Sequence, residues 1–251
     1  MHRVNLFITC IADSLFPETG RATVRVLERL GVAVECPPGQ TCCGQPAFNG
    51  GFRDEARRLA RRCLDLFERS DLPVVIPSGS CAAMIRHGYP ILFASDSRSL
   101  ERAQNLAART YEFSQFLVDQ LGVSDAGARW SGPITYHPSC HLTRLLGVQD
   151  QPRRLLASAA GENFVPLPDA SECCGFGGLF AIKHGDISAA IVQRKVDNIR
   201  ASGAQTLTGC DLSCLLNIQG ALARDGSPIR CRHLAEVLAG APAAGEDGRR
   251  P

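Results

Sequence analysis

"QTCCGQPAFNGG", Gln40–Gly51, sets two adjacent cysteines before a glycine and a small polar loop. Adjacent cysteines rarely serve packing and seldom bond to each other, so the pair raises the question of what it holds. The arrangement returns in "SECCGFGGLFAIKHGD", Ser171–Asp186. The flanks match as well. An apolar run from Val4 to Thr9 ends at Cys10, 31 residues separate Cys10 from Cys42, and 36 separate Gly44 from Cys81. In the second half "GPITYHPSC" ends at Cys140, 32 residues separate it from Cys173, and 38 separate Gly175 from Cys214. The chain therefore reads as two copies of one plan, C-x31-CCG-x36-C and C-x32-CCG-x38-C, and such a repeat governs how everything between is read.

The intervening segments match too. Ala56, Leu59, Ala60, Cys63, Leu64 and Phe67 recur at the spacing of one helical face. In copy two, Asp186 reads as an N-cap and Ile187, Ala190, Ile191, Val196 and Ile199 as the corresponding stripe. Each helix leads to a strand-like run, "LPVVIPSGSC" and the weaker "AQTLTGC". Earlier in each copy, "ATVRVLERLG" and "PRRLLASAAG" read as glycine-stopped helices leading to strands "VAVEC" and "NFVPL". Strands alternating with helices predict an α/β fold of two pseudo-symmetric repeats of parallel β/α units. The repeats are expected at residues 1–121 and 133–239, split by "GVSDAGARWSG". The stretch 240–251 reads as a disordered tail.

Among the 251 residues, 45% are hydrophobic and 21% charged, the balance of a globular chain with a core. A net charge of +2, with no basic tract interleaved with aromatics and no zinc-finger spacing, argues against nucleic acid. The opening "MHRVNLFITCIADSLFPETG" does not read as a secretory leader, and no run approaches the roughly 18 apolar residues of a membrane helix. A cytoplasmic location is expected. In a reducing compartment, 12 cysteines point to metal or redox chemistry rather than to a disulfide framework.

Cys10, Cys81 and Cys140 follow strand-like runs, and parallel α/β units assemble sites at strand carboxyl ends. Four thiolates per copy can thus converge on one metal centre. Structural zinc favours local C-x2-C knuckles, which this chain lacks, and a compact tetrahedron strains adjacent ligands. A multi-iron cluster offers several metal corners, so adjacent cysteines can each take one. Iron–sulfur is favoured over zinc and over a metal-free thiol site. Gly44 and Gly175 suit close backbone approach to such a core and expose N–H groups toward sulfur. "HPSCHLTRLLG" reads as a short helix starting at Ser139 or Cys140, with Leu142, Leu145 and Leu146 inward and Gly147 as its stop. His137 and His141 flank Cys140 as candidates for hydrogen bonding to a cluster or moving a proton, against the alternative of capping or packing. Cys63 reads as a buried hydrophobe; Cys36 and Cys231 have no repeat partner; Cys210 is ambiguous, four residues before Cys214 and able to reach its site, yet matched by Pro77 in copy one.

"PSGSCAAMIRHGYP", "TYHPSCHLTRLLG", "ECCGFGGLFAIKHGDIS" and "DLSCLLNIQG" together resemble the CCG-domain, or cysteine-rich-domain, iron–sulfur proteins over about residues 4–240. That family includes the CCG-bearing component of heterodisulfide reductase and the iron–sulfur component of glycolate oxidase. The likeness is greatest to its short lactate-utilization members, because ferredoxin-type C-x2-C-x2-C motifs are absent. The resemblance implies an electron-transfer subunit of a complex oxidising L-lactate to pyruvate, working with a ferredoxin-like iron–sulfur protein and a third subunit. It implies one [4Fe-4S]-type cluster on Cys10, Cys42, Cys43 and Cys81, and another on Cys140, Cys173, Cys174 and Cys214. The wider family often closes each motif with a fifth cysteine. Here those positions are Ser78 and Asp211, which leaves cubane and non-cubane clusters, and oxygen ligation, all open. The rival functions are a cluster-based disulfide reductase, a glycolate-type 2-hydroxy acid oxidation subunit, and a zinc-stabilised interaction module.

Overall fold

The apolar runs ahead of Cys10 and Cys140 become strands in two separate parallel sheets. In the first, β1 (His2–Leu6) lies between β2 (Val32–Glu35) and β3 (Val74–Ile76), with β4 (Thr110–Glu112) beyond, in the order β2-β1-β3-β4. In the second, β5 (Ile134–His137), β6 (Thr206–Gly209) and β7 (Arg230–His233) follow in that order. Val74, Val75 and Ile76 are all buried, as expected of a parallel strand covered on both faces. The computed structural model describes residues 2–240; the expected tail, from residue 241 on, lies outside them.

The helices follow the repeat. α1 (Cys10–Leu15) and α2 (Pro17–Arg29) follow β1; α3 (Gln45–Asn49) and α4 (Arg53–Phe67) follow the first CCG triplet; α5 (Gly79–Ala83) follows β3. In the second half come α6 (Asp150–Ala160), α7 (Gly185–Ala201) after the second triplet, α8 (Leu212–Arg224) after β6, and α9 (Leu234–Ala239). Pro17 opens α2, where its missing N–H costs nothing. Gly31 follows α2 with φ +77°, the left-handed stop the sequence predicts.

Three local expectations change. "NFVPL" makes only one bridge, Ile134 to Phe164, because Pro166 and Pro168 remove the donors a further strand needs. The buried face of α7 is Ser188, Val192, Lys195, Val196 and Ile199, while Ile187 is 55% exposed, and Asp186 lies inside the first turn rather than capping it. Two polar residues on that face obscured the period; Ser188 bonds the Gly175 carbonyl (2.8 Å), and Lys195 bonds the carbonyls of Asp169 and Ala170 (3.1 Å each). The helical turn after Cys140 is a π turn, His141–Leu145, with Leu142 buried and Leu145 exposed. The wider turn rotates Leu145 off the inward face.

The sheets are separate, yet the main apolar core is shared. Val4, Val26, Leu27, Phe113 and Phe116 pack in one cluster with Ile134, Tyr136, Leu155, Leu234 and Leu238. α9 closes the second half against α2, with Thr19 bonded to Glu236 and Arg29 to the Leu238 carbonyl. This shared core fixes the relative placement of whatever the two halves carry.

Glu112 ends β4 in full burial and caps the following turn, accepting from the N–H groups of Ser114 (2.8 Å) and Gln115 (3.1 Å). Burial pushes its carboxyl up from 4.5 to about 7. A raised acid favours the protonated folded state, so its contribution is complete below pH 4.5 and is lost as pH rises through about 7. Glu112→Gln should remove that loss. Between acid and mildly alkaline pH, its stability relative to the parent should improve by about 3 kcal/mol. Urea midpoints across pH check this; parallel profiles would contradict it.

Candidate metal centres

The carboxyl ends of β1, β3, β5 and β6 aim their cysteines at two points. In the first half the Cys10 thiol faces Cys42, Cys42 faces Cys43, and the Cys43 thiol donates to Cys81 at 3.2 Å. Those four cysteines line one cavity with Thr9, Ser78 and Ser80. In the second half Cys140 faces Cys173, Cys173 faces Cys174, and Cys174 faces Cys214. All eight cysteines singled out in the sequence thus fall into two sets of four.

The two sets are built alike. Thr9 and Ser139, each just before the first cysteine, receive the N–H groups of Ala12 and Leu142 and so cap the turn that carries it. The first cysteine of each CCG pair is the outer one, and its sulfur accepts a glycine N–H at 3.4 Å, Gly44 to Cys42 and Gly175 to Cys173. The second is buried, with its carbonyl held by a side chain, Tyr89 Oη on Cys43 (3.0 Å) and Asn217 Nδ2 on Cys174 (2.8 Å). Bonds from Cys10, Cys43 and the Gly44 amide hold the Cys42 thiol down to about 3. Bonds from Cys140, Cys174 and the Gly175 amide hold Cys173 down to about 2. Their partners Cys10, Cys43, Cys140 and Cys174 are pushed up, foremost by those same sulfur contacts. Each set thus favours a thiolate at its outer cysteine, the form that binds metal.

The triplet glycines aim their N–H groups at sulfur, and the room left by their missing side chains is taken up by the following helix. Gly44 and Gly175 have φ of +86° and +79°, and a Cβ on Gly175 would meet the Ser188 carbonyl oxygen of α7 at 2.7 Å. On the Cβ side, Gly44 and Gly175 face the helix that follows each triplet. Gly175→Ala should cost about 3 kcal/mol from left-handed strain plus the clash. Gly44→Ala should cost about half of that, because its Cβ would meet nothing nearer than 3.4 Å. Urea denaturation ranks the two, and equal costs would contradict this account.

Ser78 and Asp211, at matching positions three residues before Cys81 and Cys214, meet across the seam. Asp211 Oδ1 accepts from Ser78 Oγ (2.8 Å) and the Ser80 N–H (2.9 Å), and Oδ2 accepts from Ser139 Oγ. Ser78 also caps the turn holding Cys81. This buried knot ties the loops of Cys81, Cys140 and Cys214 together through both carboxylate oxygens of Asp211. Gly79 allows the approach; a Cβ there would lie 2.7 Å from Leu142 Cβ. The CCG loops also touch, Gly178 against Pro46 and Leu179 against Gly50, and His141 Nε2 lies 3.1 Å from Gln45 Nε2. His141 therefore sits at the seam between the two sites.

His137 ends β5 in full burial. A donor atom from each of His137, Cys174 and Cys214 lies within 4.8 Å of the others, and neither ring nitrogen has a hydrogen-bond partner. Burial and the nearby Lys195 charge lower its pKa to about 3, so the ring is neutral. Cys63 is the buried hydrophobe expected, pushed up to about 11 by burial, its thiol 3.9 Å from the Cys42 carbonyl. Cys210 turns into the shared core, 3.8 Å from Tyr136 Oη. Lys195 escaped sequence reasoning, though its place on the α7 face and its rarity, one of two lysines in an arginine-rich chain, were available signals. Burial lowers its pKa, against which Glu172 first, and then Cys174 and Cys173, favour the ammonium.

Eight cysteines in two sets of four, with N–H donors aimed at sulfur and a neutral imidazole left unpartnered beside one set, fit metal clusters held by thiolates. Among the described residues, no helix is long and apolar enough to cross a membrane. Residues 4–86 and 134–219 each match the CCG cysteine-rich domain. The chain is 52% identical to "Lactate utilization protein A" of Geobacillus kaustophilus over 236 residues, 94% of this chain and 98% of that protein. It is 48% identical to the protein of the same name from Exiguobacterium over 239 residues, 95% and 97% of the two chains. It is also 48% identical to that of Macrococcus caseolyticus over 236 residues, 94% and 96%. Both halves of the sequence, and both sulfur sets of the structure, place this chain in the CCG cysteine-rich domain family.

Proposed function

We propose that the chain is the iron–sulfur electron-transfer subunit of a cytoplasmic complex oxidising L-lactate to pyruvate. It would hold one [4Fe-4S]-type cluster on Cys10, Cys42, Cys43 and Cys81, and a second on Cys140, Cys173, Cys174 and Cys214. The observation that carries the reading is the pair of matched four-sulfur sets, one in each half, whose loops are joined by the Asp211 knot. The name shared by the relatives supplies the substrate. A cluster supplies one-electron transfer when bound. The chain's own groups then set its environment. The Gly44 and Gly175 N–H groups stabilise negative charge on sulfur, the buried Lys195 ammonium offsets it in the second half, and the Asp211 knot fixes the distance between the sites. Lactate yields two electrons and two protons as it becomes pyruvate. A ferredoxin-like iron–sulfur partner and a third subunit would share the transfer with this chain.

A cleft of about 510 Å³ opens beside Cys140, walled by Thr143, Arg144, Gln149, Arg153 and Ser171. Its arginines suit a small carboxylate. Its openness next to a cysteine of the second set also favours one rival, cluster-based reduction of a small disulfide. The test is anaerobic addition of L-lactate, glycolate or a small disulfide to the complex purified with its natural partners. Bleaching of iron–sulfur absorbance by L-lactate first supports the reading. Bleaching by glycolate alone, or reoxidation of the reduced complex by the disulfide without any response to lactate, overturns it.

A further inference from the structure

The two sites share a backbone plan but not their inner walls. Three residues before Cys10 stands Phe7, fully buried; three residues before Cys140 stands His137. The registers coincide, because Thr9 and Ser139 make the same cap one residue before each cysteine. On the helix after each triplet, the backbone oxygens of Ala56 and Ser188 both face the triplet glycine. That register sets Cys63 of the first half against Lys195 of the second. So an apolar ring and a thiol in one half are replaced by an imidazole and an ammonium in the other.

We propose that His137 is an iron ligand of the second centre, bonding through a ring nitrogen at the buried corner formed by Cys174 and Cys214 and taking the place of one of those two thiolates, because a four-iron cluster of the cubane kind takes one protein ligand per iron. The inference rests on the iron–sulfur reading above and goes beyond it by making the two centres chemically unequal. Three observations carry it. A His137 donor atom lies within 4.8 Å of those of both cysteines. Both ring nitrogens are buried without a hydrogen-bond partner, a state that native interiors avoid unless something else takes the lone pair. The matching position in the first half is a phenylalanine, so the strand end does not need a polar side chain for its fold. A neutral imidazole donor makes an iron–sulfur centre easier to reduce than thiolates alone. The second centre would therefore be the electron acceptor of the pair and the first its donor.

The test uses the full chain, purified without oxygen and labelled with 15N-histidine, in its oxidised and reduced states. Pulsed EPR of the unsubstituted protein should show a histidine nitrogen coupled as strongly as a bonded ligand, with isotope replacement changing its pattern. In His137→Phe that coupling should vanish, and a reductive titration should move one of two midpoints to lower potential while the other stays. Iron and sulfide present without a bonded histidine nitrogen would overturn the inference and leave the iron–sulfur reading standing. A coupling that survives in His137→Phe would do the same. Protein that carries neither iron nor sulfide would overturn both. Should His137→Phe fail to fold, the labelled spectrum of the unsubstituted chain decides alone.

Discussion

Cys42→Ser and Cys173→Ser should each lower the iron and sulfide held per chain by about half, and the double variant should hold almost none. The two positions are the outer members of their pairs, so serine there removes a thiolate without opening a cavity in the core. Each also loses the sulfur that receives bonds from a neighbouring thiol and from the triplet glycine. The fold should survive, because the elements around both sites are held by the shared core. Metal analysis beside circular dichroism separates the two effects. Full iron retention in both variants would remove Cys42 and Cys173 from the ligand sets.

Asp211→Ala should destabilise the chain by about 3 to 5 kcal/mol. The side chain is the acceptor for Ser78, Ser80 and Ser139 in a buried site, and its removal takes the acceptor from the Ser80 N–H and the Ser139 hydroxyl, while Ser78 Oγ keeps Ser80 Oγ at 3.1 Å. Asp211→Asn keeps one acceptor oxygen and should cost about 1 to 2 kcal/mol. The loss should couple the halves. Because the knot joins the loops of Cys81, Cys140 and Cys214, Asp211→Ala should also weaken iron retention in both centres, although the aspartate touches neither set of sulfurs directly. Urea midpoints and iron content read the two consequences. An Asp211→Ala protein as stable as its parent would show that the seam is held by the apolar core alone.

The repeat was legible because cysteine and glycine cannot be exchanged freely where they act. The CCG spacing divided the eight cysteines between the halves in the same way as the structure groups their sulfurs. The strands before Cys10, Cys81 and Cys140 were legible as short apolar runs. β4 and β7 were not, since Thr110–Glu112 and Arg230–His233 are short and polar and gain their place only by pairing with β3 and β6. The face of α7 was misread because Ser188 and Lys195 point inward, and a period in hydrophobicity cannot register polar groups whose bonds are satisfied inside. The same blindness hid the Asp211 knot. Ser78 and Asp211 stand at matched positions in sequence, but nothing in a linear pattern says that two equivalent residues from two repeats will bond to one another.

Whether the two sulfur sets hold iron–sulfur clusters is read by measuring iron, zinc and acid-labile sulfide per chain on protein purified without oxygen. The account predicts iron and sulfide in equal amounts, roughly eight of each, with little zinc. Zinc without sulfide would contradict it and leave Cys42, Cys43, Cys173 and Cys174 holding a scaffold together.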